Sequence, residues 1–261
     1  MAVRLVCNEP RGKPVKRLAY TDAGESAYLT DSGFVGSGVI KSPSGKPWIP
    51  DFLANGRLSM FVAGVPGAGK SYLAKEMIKT LPPGFDVLLF TALSEEDGNF
   101  EDLGDGHKLW KIRMDPDNLT NLTLANIRTA SEHPILLFDD VDKIRDRRVA
   151  NKMFTVLDDA LANGRGHVKH DGVGDIQVIA TSHALNDWKN TKYSFENSDY
   201  IAVFPGSTPY AQLERLFLKT GLDKALCKEL ATQSRQGKFR SAIIHKVSPV
   251  YVIYGDTIQF V

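Results

Sequence analysis

Gly64-Val65-Pro66-Gly67-Ala68-Gly69-Lys70-Ser71 decides how the rest of this 261-residue chain is read. The stretch fits G-x-x-x-x-G-K-[ST]. Its glycines let backbone N–H groups turn inward around an anion with no Cβ in the way. Leu58–Ala63 (LSMFVA) reads as a strand entering the loop and Ser71 onward as a helix leaving it, the context that makes the motif diagnostic. A helix N-terminus adds partial positive charge where phosphates would sit. In this arrangement the loop and the following Tyr72 line a nucleotide's phosphates, Lys70 reaches the β- and γ-phosphates, and Ser71 holds Mg²⁺.

Working outward, the helix from Ser71 to about Leu81 puts Leu73, Met77, Ile78 and Leu81 on one face, and Pro82-Pro83 stop it. Val87–Ala92 (VLLFTA) has the length of a buried strand, and Trp110–Met114 reads as a short one. Leu119–Ala130 reads as a helix. Pro134–Asp140 (PILLFDD) reads as a buried strand ending in two acids, followed by an amphipathic helix over Ala150–Asn163. Ile176–Thr181 and Tyr200–Phe204 are further strands, and Pro209–Lys219 and Leu222–Thr232 further helices. From Ser241 the pattern changes to period two (SAIIHKV, PVYVIYGD, TIQFV). Strands alternating with helices around apolar runs imply a mostly parallel sheet covered on both faces. Residues 1 to 50 are rich in Gly, Pro, Ser and Asp and read as an extension of loops and short strands ahead of a 51–261 domain.

The acids at the end of Pro134–Asp140 are the expected chemical partners of the loop. A carboxylate at the C-terminal end of a parallel strand lies in the crevice where ligands of α/β proteins bind. Val87–Ala92 lies between the two motifs in sequence, which suits an arrangement with a strand inserted between the motif strands. Successive strand residues point opposite ways. Asp139 is therefore expected to hold the Mg²⁺ shell while Asp140 turns toward the attacking water; the alternative is that one of them merely caps the segment that follows. The strand ending Ala180-Thr181-Ser182-His183 offers Ser182 and His183 as groups that sense the γ-phosphate or position water, although a lone histidine equally fits a packing role. An arginine delivered from a neighbour stabilises phosphoryl transfer. Candidates are Arg165, the cluster Arg145, Arg147 and Arg148, and Arg240. The cluster also fits a solvated helix face or a phosphate-gripping loop.

Other chemistries are disfavoured. Asp97, Asn99 and Glu101 begin a calcium-loop spacing, but Asp102 stands at the glycine position and Lys108 at the terminal glutamate. His167 and His170 lack the Cys or carboxylate partners of a zinc site. Cys7 and Cys227 are no disulfide framework and point to a reducing compartment. The apolar fraction of 43% suits a globular core, and a net charge of +1 neither requires nor excludes a nucleic-acid partner. The N-terminal apolar run is too short for a signal peptide, and no run reaches the length of a membrane span.

From about Leu58 onward the chain resembles the genome-packaging ATPases of large DNA viruses and virophages, the poxvirus-type branch of the FtsK–HerA superfamily. The resemblance is carried by GVPGAGKS, ILLFDDVD, ANGRGH with IQVIATSHALND, and FRSAIIHKVSPVYVIYGD. It implies a three-layer P-loop NTPase of the ASCE/RecA-like kind, an α/β fold with a mostly parallel central sheet and a β-rich C-terminal tail. It implies ATP and Mg²⁺ as ligands, with Lys70 and Ser71 on nucleotide and metal, Asp139 on Mg²⁺, Asp140 as base, Ser182 as sensor and Arg165 as trans-acting finger. The implied partners are double-stranded DNA in the pore of a homo-oligomeric ring (a hexamer by family habit, a pentamer as the alternative) and a capsid or portal-vertex protein. The implied location is the virion or a viral factory in the host cytoplasm. Cellular members often carry Glu and Gln where this chain has Asp140 and Ser182.

Rival readings are an AAA+-type replication or remodelling ATPase, a GTPase-like switch, a small-molecule kinase and a structural capsid-associated nucleotide-binding protein. The β-rich tail, in place of a helical lid, argues against the first. Asn151-Lys152-Met153-Phe154 breaks the base-reading motif the second needs. The intact Lys70, Ser71, Asp139 and Asp140 oppose the last.

Overall fold

A computed structural model describes residues 2–5, 14–30, 38–54, 56–91, 100–104, 106–112, 119, 122–140, 143–165, 175–183, 188–236, 241–247 and 250–260. The chain divides into two compact units, Arg57–Asp199 and Met1–Gly56 with Tyr200–Val261.

The second of these opens with β1 (Ala2–Leu5), β2 (Pro14–Tyr20), β3 (Ser26–Thr30), β4 (Val39–Lys41) and β5 (Ile49–Pro50). An antiparallel sheet runs in the order β1-β3-β2-β5. The two-residue β5 ends on Pro50, which has no N–H to donate and suits a sheet edge.

Arg57–Asp199 contains β6 (Ser59–Ala63), α1 (Lys70–Lys79), β7 (Asp86–Thr91), β8 (Lys108–Ile112), α2 (Leu124–Ala130), β9 (Pro134–Asp139), α3 (Arg147–Asn163), β10 (Gln177–Ser182) and α4 (Trp188–Asn197). Its strands are parallel in the order β6-β10-β9-β7-β8. Every residue of β6, β9 and β10 is buried, the continuous burial expected where helices cover both faces. The strand between the two motif strands is thus β10, while β7 (Asp86–Thr91), the run expected from Val87, lies beyond β9. Ser182 pairs with Ala63, and Thr91 with Asp139, so the C-terminal ends of the central strands finish level.

The helices follow the apolar spacing. α1 buries Leu73, Ala74, Met77 and Ile78. α3 starts three residues before Ala150 and buries Val149, Met153, Val156, Leu157, Ala160 and Leu161. Its N-cap is Asp146, whose carboxylate accepts the N–H groups of Arg148 and Val149. Its C-terminal carbonyls meet the buried Arg57, which donates to Ala160 O at 2.9 Å, Ile176 O at 3.4 Å and Leu161 O. α2 starts at Leu124 rather than Leu119 because Thr123 caps it, accepting the Asn126 N–H at 3.2 Å. α4 has no counterpart in the sequence reading.

The other unit resumes with β11 (Tyr200–Val203), α5 (Tyr210–Lys219), α6 (Lys224–Gln236), β12 (Ala242–His245), β13 (Tyr251–Tyr254) and β14 (Thr257–Phe260). The period-two tail supplies β12, β13 and β14, the middle strands of the antiparallel run β11-β12-β13-β14-β4. Gly255, at φ 63°, opens the two-residue turn between β13 and β14, where a left-handed backbone is needed. Ile258 pairs with Ile40, and Tyr251 Oη donates to Leu18 O at 3.3 Å. His245 is buried between the rings of Tyr200 and Tyr251, with centroids 4.8 and 4.7 Å away.

Candidate ATP-hydrolysis site

The loop leaves β6 at Ala63 and becomes helical at Lys70. Gly67 (φ 76°) and Gly69 (φ 103°) take the left-handed backbone that turns the loop. The Gly64 N–H donates to Ser182 O at 3.1 Å, which fastens the start of the loop to the end of β10. Val65, Pro66 and Gly67 are exposed at the loop's crest, and the Tyr72 side chain is 67% exposed beside it. Lys70, in contrast, is buried and faces the acids.

Lys70 Nζ lies 3.7 Å from Asp140 Oδ1 and 3.5 Å from His183 Nδ1. Ser71 Oγ donates to Asp139 Oδ1 at 3.2 Å. The sequence-predicted loop, acid pair and β10 terminus therefore meet at the C-terminal ends of the central strands. Asp140 departs from the expected geometry. It lies just past β9 with φ 51°, the only non-glycine residue at positive φ among those described. The two carboxylates are separated by this backbone reversal and not by strand alternation. Such a conformation costs about 1–3 kcal/mol and persists only where surrounding contacts enforce it.

Thr181 supplies part of that enforcement, and the sequence reading passed over it. Its Oγ1 is 2.8 Å from Asp139 Oδ1 and 3.2 Å from Asp140 Oδ1, and it accepts the Asp140 N–H at 2.9 Å. His183 Nε2 meets Asp140 Oδ2 at 2.5 Å. Period-two alternation puts Thr181 on one face of β10 and Ser182 on the other, and His183 follows directly after the strand. That alternation was the available signal for Thr181. Ser182 is buried, with its carbonyl on the Gly64 N–H.

Burial raises the Asp139 carboxyl above its ordinary range. The hydrogen bond from Thr181 opposes the rise, the Asp140 charge adds to it, and Ser71 and Lys70 oppose it. A buried carboxylate so disfavoured as an anion gains from a cation. Ser71 Oγ and Asp139 Oδ1 are two hard oxygens 3.2 Å apart, close to the roughly 3 Å separating neighbouring ligands of octahedral Mg²⁺. The residues fit that ion.

Arg165 is not part of this cluster. It follows the α3 cap Gly164, whose carbonyl accepts the Ile176 N–H at the start of β10, opposite the Ser182 end. Its guanidinium pairs with Asp199 at 3.3 Å. Arg145, Arg147 and Arg148 are exposed ahead of and on the first turn of α3. Arg240, His167 and His170 lie outside the described residues. Among the described residues, no group of three or more His, Cys, Asp or Glu side chains is placed to hold a metal ion, and no helix is long and apolar enough to cross a membrane.

The sequence profile of the ATPase family associated with various cellular activities (AAA) matches residues 60–194, a span that holds the whole cluster. The chain belongs to the AAA family. Its fold is the α/β P-loop NTPase fold with a mostly parallel central sheet, and as an AAA protein it binds nucleotide and hydrolyses ATP. "Uncharacterized protein V3" of Sputnik virophage is 28% identical over 238 residues, covering 89% of each chain. Among solved structures, the cytoplasmic domain of the type VII secretion ATPase EccC of Thermomonospora curvata aligns with TM-score 0.45 and 10% identity over 97% of this AAA chain. The pCW3 conjugation coupling protein TcpA with ATPγS aligns with TM-score 0.42 and 12% identity over 93% of this chain and 75% of its own. The chain spans only 29% of the EccC chain.

Proposed function

We propose that this ATPase is a motor of the FtsK–HerA kind that drives double-stranded DNA into a viral capsid, working as a homo-oligomeric ring with Mg²⁺ and ATP. The observation that carries the reading is the convergence of Lys70, Ser71, Asp139 and Asp140 at the C-terminal ends of the central strands, in a chain with a virophage relative. The packaging-type tail motif FRSAIIHKVSPVYVIYGD supports the viral branch.

Lys70 binds the β- and γ-phosphates, the loop from Gly64 to Tyr72 wraps them, and Ser71 with Asp139 holds Mg²⁺. The ion, when bound, neutralises charge developing on the phosphate oxygens. Asp140 accepts the proton of the attacking water, aligned by Thr181 and His183, and Ser182 lies at the strand end that meets the loop. Arg165 acts on a neighbour's nucleotide. Within its own subunit it stands at the far end of β10, and a strand of this length spans about 17–20 Å.

The deciding experiment is ATP hydrolysis by purified protein with and without long double-stranded DNA across a salt series. Stimulation that fades with salt is expected, because phosphate contacts coupled to turnover release counterions. Robust turnover indifferent to DNA would replace this reading with an AAA-type remodelling ATPase, the alternative favoured by the profile match, or with a small-molecule kinase. No turnover under any condition would favour a structural capsid-associated nucleotide-binding protein.

A further inference from the structure

Four cations follow closely on the two acids of the site. Lys143, Arg145, Arg147 and Arg148 stand within six residues, with Asp146 as the one acid among them. All four are exposed. Among the described residues none of them joins an ion pair. Asp146 uses its carboxylate on the helix itself, accepting the Arg148 N–H at 2.7 Å and the Val149 N–H at 3.3 Å, with the Arg148 charge acting on it nearby.

Folding does not explain this placement. Arg147 and Arg148 occupy the first turn of α3, which carries no acid, and its last turn carries no base. A helix N-terminus is the positive pole of the macrodipole, so cations there oppose it and anions are favoured. An ordinary solvated helix face has no reason to gather like charges at that pole. The side chains and the pole instead add to one concentrated positive potential, suited to a ligand of repeating negative charge. A single γ-phosphate needs one finger, whereas four exposed cations along a short stretch match a phosphate backbone.

The segment is also joined to the chemistry. The Lys143 N–H donates to the Asp140 carbonyl at 2.9 Å, so the basic stretch is hydrogen-bonded to the backbone of the proposed base. We propose that Lys143, Arg145, Arg147 and Arg148 form the surface that holds the backbone of duplex DNA, and that the Lys143–Asp140 hydrogen bond carries DNA engagement to the hydrolytic site. This rests on the translocase reading.

The test measures binding of the full-length protein to a fluorescently labelled DNA duplex a few turns long, by anisotropy across a salt series. Two double variants are compared, Arg147→Glu with Arg148→Glu, and Lys143→Gln with Arg145→Gln. Each should weaken binding at least about tenfold, and the salt slope should shrink by about one per cation removed. DNA stimulation of hydrolysis should be lost with it. Glutamate suits the positive pole of α3, so the first variant should melt at or above the wild-type temperature, which separates lost binding from misfolding. Wild-type affinity and slope in both variants, with wild-type protein binding DNA, would overturn this surface and leave the translocase reading standing. Wild-type protein that neither binds duplex nor responds to it would overturn both. Variants that keep DNA affinity but lose DNA-free hydrolysis would assign these side chains to a neighbour's nucleotide and overturn the proposal.

Discussion

His183 Nε2 lies 2.5 Å from Asp140 Oδ2, while Nδ1 of the same ring lies 3.5 Å from the Lys70 ammonium. An ammonium only donates, so Nδ1 accepts and the Nε2–H donates to the carboxylate. His183 thereby fixes the orientation of Asp140. Asp140→Asn should retain ATP binding and lose hydrolysis by about 10²–10⁴-fold. If His183 acts through Asp140, His183→Ala should slow turnover alone and add little in the Asp140→Asn background. Single-turnover hydrolysis of the two single variants and the double variant decides this; fully additive losses would assign His183 an independent role.

Thr181 carries the second prediction. Thr181→Val keeps the shape but removes the hydroxyl shared by both acids and the acceptor of the Asp140 N–H. Leaving such buried groups unmet costs about 1–3 kcal/mol. The variant should lose both stability and kcat, and Thr181→Ser should recover most of each. Urea midpoints alongside steady-state kinetics would show this; full activity in Thr181→Val would remove the bridging hydroxyl from the mechanism.

The acid side of the stability profile follows from Asp139 and Asp158. Burial raises Asp139 above the ordinary aspartate value, and raises Asp158 to about 6. For both, the folded state holds the proton more tightly than the unfolded state does. Stability is therefore lost as pH rises from the unfolded pKa through the folded one. Asp158→Asn should flatten the fall between pH 3.8 and about 6 and raise the melting temperature at neutral pH. Each kcal/mol regained is worth about 2–4 °C in a chain of this size. Asp139→Asn should also melt higher without ligand, yet show none of the extra stabilisation expected of the wild type with Mg²⁺ and ATP. Melting curves at several pH values, with and without Mg²⁺ and ATP, test both residues; a lower ligand-free melting temperature for Asp139→Asn would contradict the desolvation argument.

Gly164 adopts ordinary helical backbone, so its need for glycine is one of space. A Cβ there would stand 2.2 Å from Ala160 O and 2.4 Å from Arg57 Nη1. Gly164→Ala should push Arg57 off the end of α3 and cost about 1–3 kcal/mol, as overpacking does. Nucleotide binding should survive, because the site lies at the other end of β10. Urea denaturation paired with ATP titration would check it, and an unchanged midpoint would contradict the crowding of both the Ala160 carbonyl and Arg57.

Arg165 tests the ring. If it serves a neighbour's nucleotide, subunits carrying Arg165→Ala mixed with subunits carrying Asp140→Asn should recover part of the turnover that each lacks alone. No recovery at any mixing ratio would remove Arg165 from that role.

How much of this was legible in the sequence depended on how local each signal was. The loop at Gly64–Ser71, the apolar runs that became β6, β7, β9 and β10, and the stripe on α3 are set by neighbouring residues and their periodicity, so they could be read directly. The meeting of Lys70, Ser71, Asp139 and Asp140 in space was legible for the same reason, since motif and strand end together state where the groups must be. The tertiary structure alone decided that β10 separates β6 from β9. It also decided that Asp140 leaves the strand through a left-handed backbone, that Thr181 and His183 close on it, that Arg57 caps α3, and that β4 pairs with β14. Each of these is a meeting of residues far apart in the chain, chosen by sheet order and by the satisfaction of buried polar groups, for which local pattern carries no signal.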